Sequence, residues 1–232
     1  MPNVVRSGLP LTLALLASLV FAATAAAAPG HTFASTGKGP SGIAVDAAGS
    51  VYTANTNAGT VTKVTSAGTA TTLGTTGKGP IGVTVDAAGN VYTANSAADS
   101  VTKITPAGVS TTLGTTGNQP MDIAVDSAGN VYTANYLSSN VTKITPAGVS
   151  TTLAATGTHP LGILVDGQGN VYTANEKTND VTKITPAGVA TQLGTTGGWP
   201  QAIAMDGQGN VYTANWNTRN VSKITPSGTS TI

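Results

Sequence analysis

The pentapeptide Val-Tyr-Thr-Ala-Asn begins at Val51 and returns unchanged at Val91, Val131, Val171 and Val211, a fixed interval of 40 residues. A period of this length marks a stack of supersecondary units, none of which can bury its apolar face alone. A catalytic centre assigns different roles to its residues, whereas a structural unit can be copied without loss. The pentapeptide is therefore read as framework, and function is sought where the copies disagree.

Aligned on that period, each unit reads approximately P-x-x-I-A-V-D-x-x-G-N-V-Y-T-A-N, five variable residues, V-T-K-I-T-P-A-G, and a Thr-rich tract ending in L-G-T-T-G. Four short β-rich segments follow, placed in the second unit at 83–86, 91–95, 101–105 and 109–115, where Val, Ile, Thr and Tyr suit a pleated strand. Asp86 to Asn90 and Pro106 to Gly108 supply hairpin connections, with glycine where a positive φ is needed. Repeated four-stranded antiparallel sheets predict an all-β fold, a β-propeller of five blades. A β-solenoid is the competing architecture, but its coils are usually shorter.

His31 to Gly37 aligns with Thr71 to Gly77, and Thr229 to Ile232 with Thr69 to Thr72, so the ends carry complementary parts of one fourth strand. Their joining is expected to close the ring and protect its sheet edges. The propeller is placed at residues 32–232, and a monomer is expected. Residues 1–25 read as a signal peptide: Arg6 precedes the apolar run Leu9 to Ala28, with Ala23-Thr24-Ala25 preferred over Ala26-Ala27-Ala28 as the cleavage signal, so that the cut falls between 25 and 28. The expectation is a secreted or extracytoplasmic protein whose mature form does not span the membrane.

The whole chain carries ten basic and nine acidic residues, and loss of Arg6 leaves nine of each. Such a neutral surface offers no field for nucleic acid. The absence of cysteine excludes disulfides, thiolate zinc sites and a cysteine nucleophile. No cofactor or metal is expected. The ring of Asp46, Asp86, Asp126, Asp166 and Asp206 reads as turn carboxylates accepting backbone N–H groups rather than as cation ligands. Lys63, Lys103, Lys143, Lys183 and Lys223 read as stems covering apolar surface, with ammonium groups reaching solvent or a turn carboxylate.

The blade pattern resembles the NHL repeat, and V-T-K-I-T-P-A-G with its Thr-rich strand is similar to repeats of the streptogramin lyase group. The resemblance extends from Thr32 onwards and implies a propeller, typically of six or seven blades. It implies relatives among lyases, sugar-lactone hydrolases and extracellular ligand-binding domains. Lyase-like blades often close their second strand with Trp-Phe-Thr-Glu, where this chain has Tyr-Thr-Ala-Asn, ending at Asn55 and its four counterparts. The resemblance also implies a catalytic His and Glu around magnesium; only His31, His159 and Glu176 are available for those roles.

The copies differ in two loop sets: TNAGT, SAADS, YLSSN, EKTND and WNTRN after the second strand, and GKGPS, GKGPI, GNQPM, GTHPL and GGWPQ between blades. Both sets fall on one face of a propeller, the usual place for a ligand. The distinctive side chains, concentrated towards the C-terminal units, are Asp122, Tyr136, His159, Glu176, Lys177, Trp199, Trp216 and Arg219. They suit a carbohydrate, a peptide or a small molecule. The expectation is a non-catalytic ligand-binding or interaction scaffold; the alternative is a degenerate lyase or lactone-hydrolase relative.

Overall fold

Residues 32–232 are described by a computed structural model, and the expected leader lies outside them. The described residues form twenty strands in five sheets, each built from four strands in sequence order. Blade 1 holds β1 (Pro40–Val45), β2 (Val51–Asn55), β3 (Thr60–Val64) and β4 (Ala70–Thr75), and blade 2 holds β5 (Pro80–Val85), β6 (Val91–Asn95), β7 (Ser100–Ile104) and β8 (Ser110–Thr115). Blade 3 comprises β9 (Pro120–Val125), β10 (Val131–Asn135), β11 (Asn140–Ile144) and β12 (Ser150–Ala155); blade 4 comprises β13 (Pro160–Val165), β14 (Val171–Asn175), β15 (Asp180–Ile184) and β16 (Ala190–Thr195). Blade 5 is β17 (Pro200–Met205), β18 (Val211–Asn215), β19 (Asn220–Ile224) and β20 (Ser230–Thr231). The all-β propeller read from the sequence is what the chain forms.

The first strand of each blade begins earlier than its β-branched residues suggest. In blade 2 it runs from Pro80 and shifts register between Pro80 and Val83 before pairing regularly with β6. Proline is tolerated because it opens the strand, and the first strand of each sheet pairs on one side only.

The core consists of successive blade-to-blade interfaces. Tyr52, Ala54 and Val61 of blade 1 meet Val83, Val91 and Ile104 of blade 2, and Tyr92, Ala94 and Val101 meet Ile123, Val131 and Ile144 in the same way. Blades 3 and 4, then 4 and 5, repeat the arrangement. Near the inner strands the backbones come so close that a Cβ on Gly82 would lie 2.8 Å from the Asp122 Cα, and one on Gly42 would collide with the Ile81 carbonyl. Glycine is required there by proximity.

Each pentapeptide serves the frame in three ways. Its asparagine is buried: the Asn95 amide donates to Thr102 Oγ1 at 2.9 Å and accepts from Thr93 Oγ1 at 2.9 Å, so polar groups inside the sheet satisfy one another. Its tyrosine donates to the turn carboxylate, as Tyr92 does to Asp86 at 2.9 Å. The other Asp86 oxygen accepts the Ala88 and Asn90 N–H groups at 3.0 and 2.8 Å. Its tyrosine ring also receives the lysine, with Lys103 Nζ 5.8 Å from the Tyr92 centroid and the same pairing in all five blades. The ammonium thus sits over an aromatic face, an attraction worth about 0.5–1 kcal/mol at exposed sites.

The junction expected between the terminal partial strands is not shown. β20 pairs with β19, and the Phe33 carbonyl lies beside Gly68 of blade 1, where Leu73 stands relative to Gly108 of blade 2. β1 packs on β5, β5 on β9, β9 on β13 and β13 on β17, with no comparable packing of β17 on β1. Among the described residues no helix is long and apolar enough to cross a membrane.

Candidate functional site

Both variable loop sets lie side by side in every blade, joined by backbone hydrogen bonds, of which one recurs at equivalent residues in all five. Thr56 N–H donates to the Gly39 carbonyl at 2.8 Å, Ser96 to Gly79 at 2.8 Å, Tyr136 to Gln119 at 3.0 Å, Glu176 to His159 at 2.9 Å and Trp216 to Trp199 at 3.0 Å. Each blade therefore presents two adjacent residues in a constant frame. The pairs run Gly–Thr, Gly–Ser, Gln–Tyr, His–Glu and Trp–Trp, growing from bare backbone to two indoles.

That frame has left-handed backbone at the first member of each pair. φ is 66° at Gly39 and Gly79, but 56° at Gln119, 59° at His159 and 58° at Trp199. A side chain there costs about 1–2 kcal/mol, and the proline that follows each further disfavours helical torsions. The strain is held by a clasp from the preceding blade. Asp99 Oδ1 accepts the Gln119 N–H at 2.8 Å, Ser139 Oγ that of His159 at 3.5 Å and Asn179 Oδ1 that of Trp199 at 2.8 Å. Non-glycine residues maintained in this region concentrate at functional sites.

Two clusters form on this frame. In the first, the Tyr136 and His159 rings stack with centroids 4.1 Å apart, and the Tyr136 hydroxyl donates to Glu176 Oε2 at 2.8 Å. His159 Nδ1 stands 4.0 Å from that same oxygen. The carboxylate beside the phenol raises the Tyr136 pKa, because ionising the hydroxyl would remove its hydrogen bond. In the second cluster, the Trp199 and Trp216 rings lie parallel within 5°, with centroids 5.3 Å apart. Both indoles remain exposed, Trp199 by 41% and Trp216 by 63%. Trp216 and Arg219 border a concavity of about 530 Å³ whose wall includes Gln201, Ala202, Ala214 and Val221.

Five of the eight candidate residues thus fall into these two clusters, and Arg219 adjoins the second. Lys177 is exposed on the same loop as Glu176. Asp122 is different: its two oxygens accept the N–H groups of Ile123 at 2.9 Å and Ile163 at 3.0 Å, stapling β9 to β13. Enclosure between blades raises its pKa to about 6 despite those bonds. Asp122 occupies the place of Gly42, Gly82 and Gly162, and it belongs to the frame. The clasps Asp99 and Asn179, and the wall residue Gln201, lie in the same variable columns; their disagreement between copies was the available signal.

The magnesium implied by the lyase resemblance calls for several hard oxygen or imidazole donors converging on one point. Among the described residues no three of His, Cys, Asp and Glu gather in that way. The third neighbour of His159 and Glu176 is Tyr136, a hydroxyl already donated to the carboxylate. These residues do not fit the group, and no step is derived through it.

Sheets arranged blade after blade, with an asymmetric arc of side chains on one loop face, define a β-propeller with a candidate recognition surface. The chain belongs to the virginiamycin B lyase family, whose model matches residues 21–232. Among solved structures it is similar to selenomethionine-substituted virginiamycin B lyase from Staphylococcus aureus, with 20% identity and a TM-score of 0.74 over 84% of this chain and 69% of that one. It is also similar to a chain of a nidogen/laminin complex, at 21% identity and a TM-score of 0.71 over 84% and 79% of the two chains. A gluconolactonase from Xanthomonas campestris aligns at 17% identity and a TM-score of 0.66, over 86% of this chain and 76% of the enzyme. No curated protein matches the sequence.

Proposed function

We propose that this chain is an exported, non-catalytic recognition module that binds a carbohydrate, a peptide or a small molecule on the loop face of blades 3 to 5. The observation that carries the reading is the parallel, exposed Trp199–Trp216 pair raised on strained backbone next to Arg219. An open aromatic platform bordered by a cation and amide side chains suits a flat apolar surface with polar substituents. Family membership supports the propeller scaffold, and the similar structures include a chain of a protein–protein complex as well as enzymes.

A glycan and peptide array followed by tryptophan fluorescence titration of each hit tests the reading. Binding is expected to disappear in the Trp199→Ala/Trp216→Ala double variant. A confirmed ligand held equally well by that variant would place the site elsewhere.

A second reading rests on the His159–Glu176 approach at 4.0 Å, an arrangement able to exchange a proton with a bound ester. A screen against cyclic esters and lactones, with and without magnesium, separates the two. Turnover abolished by His159→Ala or Glu176→Ala would replace the binding reading by a lyase or lactone-hydrolase one.

A further inference from the structure

A concavity of about 220 Å³ lies on the loop face at the junction of blades 2 and 3, lined by Ser96, Ala97, Asp99, Asn118, Gln119 and Leu137. Blade 2 carries small side chains there. Tyr136 stands one repeat on from Ser96, and His159 one repeat on from Gln119. At the junction of blades 3 and 4 the Tyr136 ring covers His159, with centroids 4.1 Å apart. At the junction of blades 2 and 3, Ser96 has no ring to lay over Gln119, and Ala97 stands where the next blade has Leu137.

The frame does not need the charge in this concavity. Asp99 Oδ1 accepts the Gln119 N–H at 2.8 Å, but the uncharged Asn179 makes the equivalent bond to Trp199 at the same 2.8 Å, and Ser139 Oγ serves for His159. The second Asp99 oxygen takes no described donor. Asp99 also has no ion-pair partner among the described residues, where the one such contact joins His159 to Glu176. Other acceptors surround it. The Ser96 hydroxyl donates to the Met121 sulfur at 3.9 Å, which leaves its own lone pairs open. Asn118 and Gln119 meet the frame through their backbone, the Asn118 N–H donating to Ser138 Oγ at 2.7 Å, so their amide side chains are left to the concavity.

We propose that this concavity binds a small organic cation, a primary ammonium on a short aliphatic chain. The ammonium has three donors and no acceptor. One donor meets Asp99 Oδ2 in a charge-assisted bond, and Ser96 Oγ with the amide oxygens of Asn118 and Gln119 accepts the others. The chain lies against Ala97 and the exposed Leu137. The carboxylate repels an anion, so the cation site of blades 2 and 3 and the Arg219 side of blade 5 select opposite charges. It does not rest on the Trp199–Trp216 reading.

The test is titration of the isotope-labelled chain with n-butylammonium, n-butanol or butyrate, followed by amide NMR. The three probes share an apolar chain and differ in head group. Two variants accompany them, Asp99→Asn and Ser96→Tyr, each importing the residue that a later blade carries at that place. The ammonium is expected to give saturable shifts centred on Ser96, Asp99 and Gln119, with butanol at least ~10-fold weaker and butyrate silent. Asp99→Asn is expected to weaken the ammonium at least ~10-fold at an unchanged thermal midpoint, because an asparagine already closes the clasp at Trp199. Ser96→Tyr is expected to abolish binding by laying a ring over Gln119. The proposal is overturned if the ammonium gives no saturable shift, if butanol binds as well, or if the shifts centre on Trp199 and Trp216 instead. Affinity retained in Asp99→Asn also overturns it. Should that variant prove unstable, affinity retained in Ser96→Tyr has the same force.

Discussion

Tyr136 and Glu176 occupy the same position of consecutive repeats, and the hydroxyl of the first donates to the carboxylate of the second at 2.8 Å. Equivalent loop positions of neighbouring blades therefore touch, and the face behaves as one surface. Tyr136→Phe keeps the ring on His159 and removes only the donor. It should cost about 1 kcal/mol, the usual net value of such a bond, read as a lowered urea midpoint at unchanged slope.

Affinity should fall unevenly across the loop face. Trp216→Ala is expected to weaken a confirmed ligand by about 30-fold, equivalent to the ~2 kcal/mol of a buried aromatic anchor. Trp199→Ala should act similarly, and Arg219→Ala should matter most for an anionic ligand. Fluorescence or calorimetric titration provides the measurement.

Framework changes should leave that titration untouched. Tyr132→Phe removes the donor to Asp126 at 3.0 Å and should lower stability by about 1 kcal/mol. Lys143→Met keeps an aliphatic stem but removes the cation lying 5.6 Å from the Tyr132 centroid, at a cost of about 0.5 kcal/mol. Denaturant unfolding should resolve both losses while affinity stays constant.

Replacing Gln119 by Gly should stabilise the chain by about 1 kcal/mol, because φ of 56° suits glycine and the clasp from Asp99 uses only the backbone N–H. A raised thermal midpoint is the expected result. An unchanged or lowered midpoint would mean that the left-handed turn carries no strain.

Acid and neutral pH should act through different aspartates. Burial alone would raise Asp46 and Asp86, but hydrogen bonds from Ser50 and Asn90 respectively outweigh it, and the Asn210 side chain holds Asp206 at about 2. With folded values below the unfolded value of about 4, these groups stabilise the fold above that pH, and the contribution is lost as pH falls through their folded values. Asp122 has the opposite sign: raised to about 6 by burial, it makes the fold progressively less stable as pH rises from about 4 to 6. Asp122→Ala should flatten the stability profile in that window and leave the acid limb unchanged, as urea unfolding across pH would show.

The strands were legible because Val, Ile and Thr alternate between glycine-bearing turns, and the second strand lies where its pentapeptide does. The first strand was legible only in part. Pro80 falls in the inter-blade loop column and Gly82 just before the strand read at 83–86, and their place in β5 follows from an open pairing edge and the close approach of β9, neither of which is local information. The loop face was legible as the columns where the copies disagree, and Gly39 and Gly79 in the column of His159 and Trp199 already carried the sign of its torsion. The pairing of Tyr136 with Glu176, and the diversion of Asp122 into the frame, depend on distances between blades.

The constant backbone bond from the residue after each second strand to the residue before each blade's proline makes side-chain identity independent of position. The same backbone bond carries His159 with Glu176 and Gly39 with Thr56, so the pairs differ in side chain while the link beneath them is kept. The loop face is therefore a text in five two-letter words, and selection can rewrite or reorder its words while the grammar that holds them stays fixed.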